Sequence, residues 1–266
     1  MYGIKKWHRW EKTMAIQKRA LITSQVQIAP GIFSMWLKDA EIAAQAKPGQ
    51  FLSLYCNNED RLLPRPISIC EINAGEGSLR LVYRVAGKGT EEFSTLKKGD
   101  TLQVLGPLGN GFPLEKKKAI LIGGGIGIPP MLELAKQLDC EKSIVLGYRD
   151  VTFMNDNFQP YGEVYLSTED GSYGVKGNVI DAIRRYGLKA DVIYACGPTP
   201  MLKGVKAYAE EQGIECYLSL EERMACGIGA CLACVCKTKE KDHHTNVQNT
   251  RICKEGPVFA SSEIEL

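Results

Sequence analysis

Apolar and polar positions divide this chain into two regimes of periodicity. Between about Ala20 and Leu114, apolar and β-branched residues gather in short runs: ALITSQVQIA, GIFSMWLK, GQFLSLYC, PISICEI, SLRLVYRVA and DTLQVLGP. Turn residues punctuate them, at Pro48-Gly49, Gly75 and Gly77, Gly87 and Gly89, Gly99-Asp100 and Gly106-Pro107. Short strands at such spacing predict an antiparallel barrel or sandwich. After Lys116-Lys117-Lys118 the pattern changes. AILIGGGIG is a continuous apolar run ending in glycines, and PPMLELAKQL behind it has helical periodicity. SIVLGYR, EVYLSTED, NVIDAIRRYG, DVIYACG and TPMLKGVKAYAEEQG continue the alternation of buried strand and amphipathic helix. That alternation predicts a parallel sheet with helices on both faces. Residues 215–219 read as its last strand. From about Glu221 the chain becomes a cysteine-rich appendage, too small for much core of its own and in need of a staple.

The expected architecture is therefore multidomain, β followed by α/β. An extension at 1–17 precedes an antiparallel barrel at 18–115, a Rossmann-like parallel α/β domain at 116–217 and a small C-terminal domain at 218–266. Within the first part, residues 1–13 read as an extension or a miscalled start ahead of Met14. Composition changes little: 266 residues, 44% hydrophobic and 24% charged, are ordinary for a globular chain. A net charge of +2 gives no nucleic-acid footprint. No apolar run reaches the ~18 residues of a membrane span, and no apolar signal segment follows the basic, aromatic start. A cytoplasmic protein is expected, with neither a membrane nor a nucleic acid as partner.

The ten cysteines do change the picture. In a cytosolic chain of this size a local cluster argues for metal or redox chemistry. Cys226-x4-Cys231-x2-Cys234, followed at a distance by Cys253, has the spacing of a plant-type [2Fe-2S] site. Gly227 and Gly229 let the loop ACGIGACLAC curl around a cluster and turn amides toward sulfur. A structural zinc site is the alternative, and it prefers two similar cysteine knuckles. Cys236 competes with Cys253 as fourth ligand, and Cys253 is preferred. His243-His244 read as surface residues of a polar hairpin or loop.

Four further motifs precede the cluster. Arg65-Pro66-Ile67-Ser68 offers a planar fork to a phosphate and a hydroxyl to a ring nitrogen. Gly87-Lys88-Gly89-Thr90 opens a helix-like stretch whose N-terminus would favour a pyrophosphate; taken alone it also reads as a plain capped helix. Gly123, Gly124, Gly125 and Gly127 lie between a buried strand and a helix, the context a dinucleotide loop requires. This is not the strict G-x-G-x-x-G, because prolines follow. Cys196-Gly197-Pro198 ends another strand, at the carboxyl edge where open sheets bind ligands; a buried strand end is the alternative for Cys196. No basic group clearly marks a 2′-phosphate site, although Arg149 could serve, so the choice between NAD and NADP stays open.

Taken together, RPIS, GKGT, GGGIGIPPM and YACGPTPML resemble the ferredoxin–NADP reductase superfamily, in which a barrel holds FAD and an α/β domain holds the nicotinamide. The ending EERMACGIGACLACVC…RICKEGPVF, with LSTEDGSYGVKGNV, resembles the electron-transfer subunits of type B, NAD-dependent dihydroorotate dehydrogenase. The resemblance covers residues 18–264. It implies that Arg65, Pro66, Ile67 and Ser68 contact FAD, that Val82, Tyr83 and Arg84 line the flavin site, and that Gly89 and Thr90 hold the pyrophosphate. It implies that Cys226, Cys231, Cys234 and Cys253 bind the cluster, with NAD on the glycine loop and Cys196-Gly197-Pro198. It further implies an FMN-containing catalytic subunit as partner, in a heterotetramer of two catalytic and two electron-transfer chains. Electrons would then pass from that FMN through [2Fe-2S] and FAD to NAD⁺ in pyrimidine (UMP) biosynthesis. No dihydroorotate-oxidising site is visible in this chain, so the enzyme expected is an oxidoreductase subunit with no catalytic residue for that chemistry. Two other readings stay open. One is an NAD(P)H:ferredoxin-type oxidoreductase, stand-alone or associated with a hydrogenase or transhydrogenase. The other is a non-enzymatic nucleotide sensor with a zinc knob. The N-terminal extension and Cys236 depart from the family pattern.

Overall fold

The computed structural model describes residues 15–58, 60–241 and 247–266. The expected extension at 1–13 and the His243-His244 pair lie outside them. Six strands close into an antiparallel barrel. They are β1 (Ile16–Ala29), β2 (Ile32–Lys38), β3 (Phe51–Tyr55), β4 (Arg65–Asn73), β5 (Ser78–Arg84) and β6 (Thr101–Leu108), in the spatial order β1-β2-β5-β4-β3-β6. Period-two alternation fills the barrel. Leu52 and Leu54 of β3, Leu79, Leu81 and Tyr83 of β5, and Leu102 and Val104 of β6 share one buried core. Helix α1 (Ala40–Gln45) starts at Asp39, whose carboxylate accepts from the amides of Glu41 and Ile42. Helix α2 (Lys88–Thr95) sends Phe93 into the barrel core, edge-on to Tyr83.

The second sheet contains β7 (Ala119–Gly124), β8 (Lys142–Tyr148), β9 (Glu163–Thr168), β10 (Val175–Lys176), β11 (Val192–Cys196) and β12 (Glu215–Ser219). These are parallel, in the order β10-β9-β8-β7-β11-β12. Both faces are covered, which is why β7 and β11 are buried throughout and read as continuous apolar runs. Helices α3 (Pro129–Gln137) and α4 (Asn155–Phe158) pack into one core, and α5 (Val179–Tyr186) and α6 (Thr199–Gln212) into the other. The strand order reverses between β7 and β11, which places a ligand crevice at their carboxyl ends.

Residues 215–219 are not the sheet's last strand. After the two-stranded ribbon of β13 (Val235–Lys237) and β14 (Asn249–Arg251), β15 (Val258–Ala260) returns and pairs antiparallel with β12. Three residues behind Gly256-Pro257 are too short to show a period, so this strand left no pattern in the sequence. It covers an edge that would otherwise be open, and it sends Val258 and Phe259 into opposite cores.

The barrel is tied to the α/β sheet through β4. The buried carboxylate of Glu133 on α3 accepts from the Ile72 amide at 2.7 Å, and the ammonium of Lys136 donates to the Ile72 carbonyl at 3.2 Å. Two side chains thus satisfy both main-chain groups of one residue. Among the described residues no helix is long and apolar enough to cross a membrane.

Candidate functional site

The phosphate end of the flavin motif is built from two segments far apart in sequence. Arg65 opens β4 at the barrel rim, and Gly89 lies in the first turn of α2. A Cβ on Gly89 would stand 2.5 Å from the Arg65 Nε and 2.9 Å from its Cζ. Glycine therefore leaves room here for a guanidinium over the start of α2, the arrangement an anion held between an arginine and a helix start needs. Thr90 shapes the loop. Its hydroxyl accepts from the Ala86 and Gly87 amides and donates to the Gly87 carbonyl. Pro66 and Ser68 are half-buried on the outward face of β4 and leave an accessible strip for a planar ring, while the Ile67 side chain between them packs against the barrel core and offers that strip its main chain. Of the other residues expected there, Val82 packs outward against the α/β side and Arg84 is exposed. Tyr83 points into the barrel, stacked on Phe33, with its hydroxyl donating to Gln25. Any ligand contact from Tyr83 must come from its main chain.

At the crevice of the second sheet the two glycine-bearing loops touch. Gly123 ends β7 in register with Cys196 at the end of β11. A Cβ on Gly127 would lie 2.5 Å from the Cys196 carbonyl and the Gly197 nitrogen. Gly125 has φ +53°, so that position favours glycine for conformation. Pro129 and Pro130 at the start of α3 remove amides that a helix N-terminus usually offers to a phosphate. Anion binding at this loop then depends on the glycine amides. The Cys196 side chain is fully buried, and burial pushes its thiol up. It fills a strand end, while its main chain forms the loop wall. Pro198 caps α6.

The cysteines come together as two pairs. Cys226 and Cys231 are in side-chain contact, as are Cys234 and Cys253. Among the described residues no group of three acidic, histidine or cysteine side chains suits a single metal ion. A pair-and-pair arrangement fits two irons better than one zinc. Amides converge on the sulfurs: those of Ile228, Ala230 and Cys231 on Cys226, and that of Cys253 on Cys234. Burial opposes ionisation of Cys226, but these donors outweigh it and bring its thiol down to about 6. Burial and the neighbouring Cys234 push Cys253 up to about 12. Gly227 and Gly229 have φ of +71° and +84°, conformations that amide convergence of this kind demands. Cys236 stands apart on β13, opposite Thr250, with its thiol pushed up to about 11 by burial.

The two redox motifs are neighbours. Gly227 abuts the barrel, and a Cβ placed on it would lie 2.7 Å from the Ser53 hydroxyl. Ser53 on β3 is the cross-strand partner of Pro66. One strand spacing, about 5 Å, separates the cluster loop's contact point from the flavin motif. Asn110 pins this junction, receiving Pro257's segment through its amide to the Gly256 carbonyl at 2.6 Å and its side chain to Glu255 at 2.7 Å. Sequence reasoning missed Ser53, Asn110 and the Glu133–Lys136 clasp. None lies in a motif, and each is defined only by what the fold brings to it.

A flavin barrel, a nucleotide crevice and a cysteine loop seated on the barrel define a flavin and iron–sulfur oxidoreductase with the ferredoxin-reductase fold. The oxidoreductase FAD-binding domain family matches residues 14–112, and the iron-sulfur cluster binding domain of dihydroorotate dehydrogenase B matches residues 221–265. The dihydroorotate dehydrogenase B (NAD(+)) electron transfer subunit of Fusobacterium nucleatum is 42% identical over 259 residues, covering 92% of this chain and 97% of that one. Its Streptococcus mutans counterpart is 44% identical over 263 residues, covering 95% of this chain and all of that one. A solved NADH-dependent reduced ferredoxin-NADP oxidoreductase superposes with a TM-score of 0.83 at 32% identity, covering 92% of this chain and 89% of that chain. The ferredoxin reductase of carbazole 1,9a-dioxygenase shares the fold, with a TM-score of 0.64 at 20% identity, covering 75% of this chain and 67% of that chain. This chain belongs to the family of dihydroorotate dehydrogenase B electron transfer subunits.

Proposed function

We propose that this chain carries electrons between an FMN-containing, dihydroorotate-oxidising partner and NAD⁺, through a [2Fe-2S] cluster and FAD. The observation that carries the reading is the contact of Gly227 with Ser53, which seats the cysteine loop one strand away from the flavin motif. When bound, the flavin supplies the exchange between single electrons and the hydride of a nicotinamide. The chain's own residues do the positioning. Arg65, Gly89 and Thr90 build the anion cradle, and Pro66, Ile67 and Ser68 form the strip beside it. Gly123, Gly124, Gly125, Gly127, Gly197 and Pro198, with the main chain of Cys196, form the nucleotide crevice. Cys226, Cys231, Cys234 and Cys253 hold the iron, and the barrel, α/β and cluster units are divided at 18–115, 116–217 and 218–266.

The surface around the cysteine loop supports a partner. Cys231 is exposed, and Ile228 and Leu232 beside it are 53% and 60% exposed. Exposed apolar side chains around a redox group mark a docking face. The assembly is a cytoplasmic heterotetramer of two catalytic and two electron-transfer chains in this reading. The test is anaerobic co-expression with an FMN-containing dihydroorotate-oxidising subunit, assayed for dihydroorotate-dependent NAD⁺ reduction. Dihydroorotate gives up two electrons and two protons; NAD⁺ takes both electrons and one proton, and the second proton is released to solvent. Copurification with that activity is expected. A fully loaded chain that ignores this subunit but reduces a ferredoxin would establish the ferredoxin-reductase reading instead.

A further inference from the structure

Ser53 is 1% exposed, and among the described residues its hydroxyl has no hydrogen-bond partner. It is out of place. Directly opposite residues of paired strands share a face, so Ser53 stands with Pro66 on one side and Leu105 on the other. Phe51, Leu105 and Leu108 on these strands pack into the apolar core shared with the cysteine segment. A buried hydroxyl left unpaired among such groups is destabilising, whereas alanine would fill the same place without that cost. The hydroxyl is aimed at the cysteine loop, because the nearest atom to a Cβ built on Gly227 is the Ser53 Oγ, at 2.7 Å. Gly227 follows Cys226 directly, and its φ of +71° with this close contact leaves no room for a side chain between barrel and loop. The Cys226 sulfur already accepts three amides.

We propose that the Ser53 hydroxyl donates a hydrogen bond to a sulfur of the bound cluster and so raises its reduction potential. This rests on the reading that Cys226, Cys231, Cys234 and Cys253 hold a [2Fe-2S] cluster. Added electron density on sulfur strengthens such a bond, so the bond favours the reduced form, and donors to sulfur are among the groups that set cluster potentials. In this role Ser53 tunes the potential of the cluster it touches and takes no part in a bond-making step.

The experiment uses the full chain loaded with FAD and cluster. Iron and labile sulfide in the wild-type protein, with a reduced-state electron paramagnetic resonance signal, test the underlying reading separately. Chains without them defeat that reading before Ser53 is addressed. In Ser53→Ala, redox titration of the cluster should show the reduced-to-oxidised ratio at fixed potential falling about fivefold, the size of one net hydrogen bond. At ~59 mV per tenfold for one electron this is a drop of about 40 mV. Ser53→Thr, which keeps the hydroxyl, should restore most of the shift. One exchangeable proton coupling to the reduced cluster should disappear from Ser53→Ala when spectra in H₂O and D₂O are compared. An unchanged cluster potential and proton coupling in a loaded Ser53→Ala protein would overturn the proposal. So would a shift confined to the flavin, since the hydroxyl would then serve the Pro66 side. If the alanine variant fails to load, the wild-type proton coupling against Ser53→Thr remains decisive, and its absence in both sinks the idea.

Discussion

Replacing Gly89 by alanine separates flavin binding from folding. The helical backbone of α2 accepts alanine, which is favoured over glycine in a helix by up to about 1 kcal/mol. The nearest atoms to the new Cβ would all belong to the Arg65 guanidinium, at 2.5 Å for Nε and 3.0 Å for Nη2. That group is the far end of a flexible side chain, so it can swing aside and the empty protein should lose nothing. What is lost is the guanidinium's place over the start of α2, and with it a charge-assisted contact to phosphate. Such a contact is worth roughly 1.5–3 kcal/mol, which is roughly a 10- to 150-fold weaker Kd for FAD.

The assay is fluorescence titration of flavin-free protein with FAD, beside thermal denaturation of the same preparations. Gly87→Ala is the control. Gly87 has extended backbone at φ 178° and nothing within 4 Å of its added Cβ, so its FAD affinity should stay near that of the wild type. A Gly89→Ala Kd within twofold of wild type would refute the reasoning, because the guanidinium would then have no role over α2. A large fall in the melting temperature of the empty protein would refute the claim that Arg65 yields freely.

Cys253→Ser should abolish iron and labile sulfide in the purified chain, while Cys236→Ser should retain both, as elemental and sulfide analysis would show. Leu232→Asp, at a residue 60% exposed with φ +59°, should weaken capture of the FMN-containing subunit without changing iron content; unchanged copurification would remove the cysteine loop from the interface. Burial pushes the Glu133 carboxyl up, against bonds from Gln137 and the Ile72 amide that pull it down. A raised folded-state value means the favourable contribution is complete below the ordinary glutamate range and is lost as pH rises through the raised value. Stability relative to Glu133→Gln should therefore decline with rising pH across that window in denaturant titrations, and a flat or rising difference would contradict the sign.

The barrel and the α/β sheet were legible in the sequence because their signals are long and repeated. In SLRLVYR every second residue, Leu79, Leu81 and Tyr83, faces the barrel core, and AILIGG is buried at every position. The cysteine loop was legible from spacing alone. The preference for Cys253 over Cys236 had less behind it, because that choice turns on how the chain doubles back. The ribbon of β13 and β14 brings the Cys253 amide to the Cys234 sulfur and leaves Cys236 opposite Thr250. Tyr83 shows the opposite failure. Its place in the motif LVYRV points to a ligand, yet alternation along β5 turns its ring into the barrel, beside Phe33 and Phe93.

The cysteine segment has almost no core of its own, and that is what fixes its position. Cys234, Ile252, Cys253 and Phe259 pack into one cluster with Phe51 and Leu108 of the barrel and with Ile193, Ala195 and Leu218 of the α/β sheet. β15 extends that sheet, the Leu220 amide donates to the Pro257 carbonyl, and the Arg251 guanidinium donates to the Gly229 carbonyl at 2.9 Å. A segment of this size held by a linker would wander, and its distance from a flavin would vary with it. Here the same apolar side chains that complete the fold also hold Gly227 against Ser53, so the separation of the two redox motifs is set by core packing. An electron carrier needs that fixed separation more than it needs any single reactive side chain.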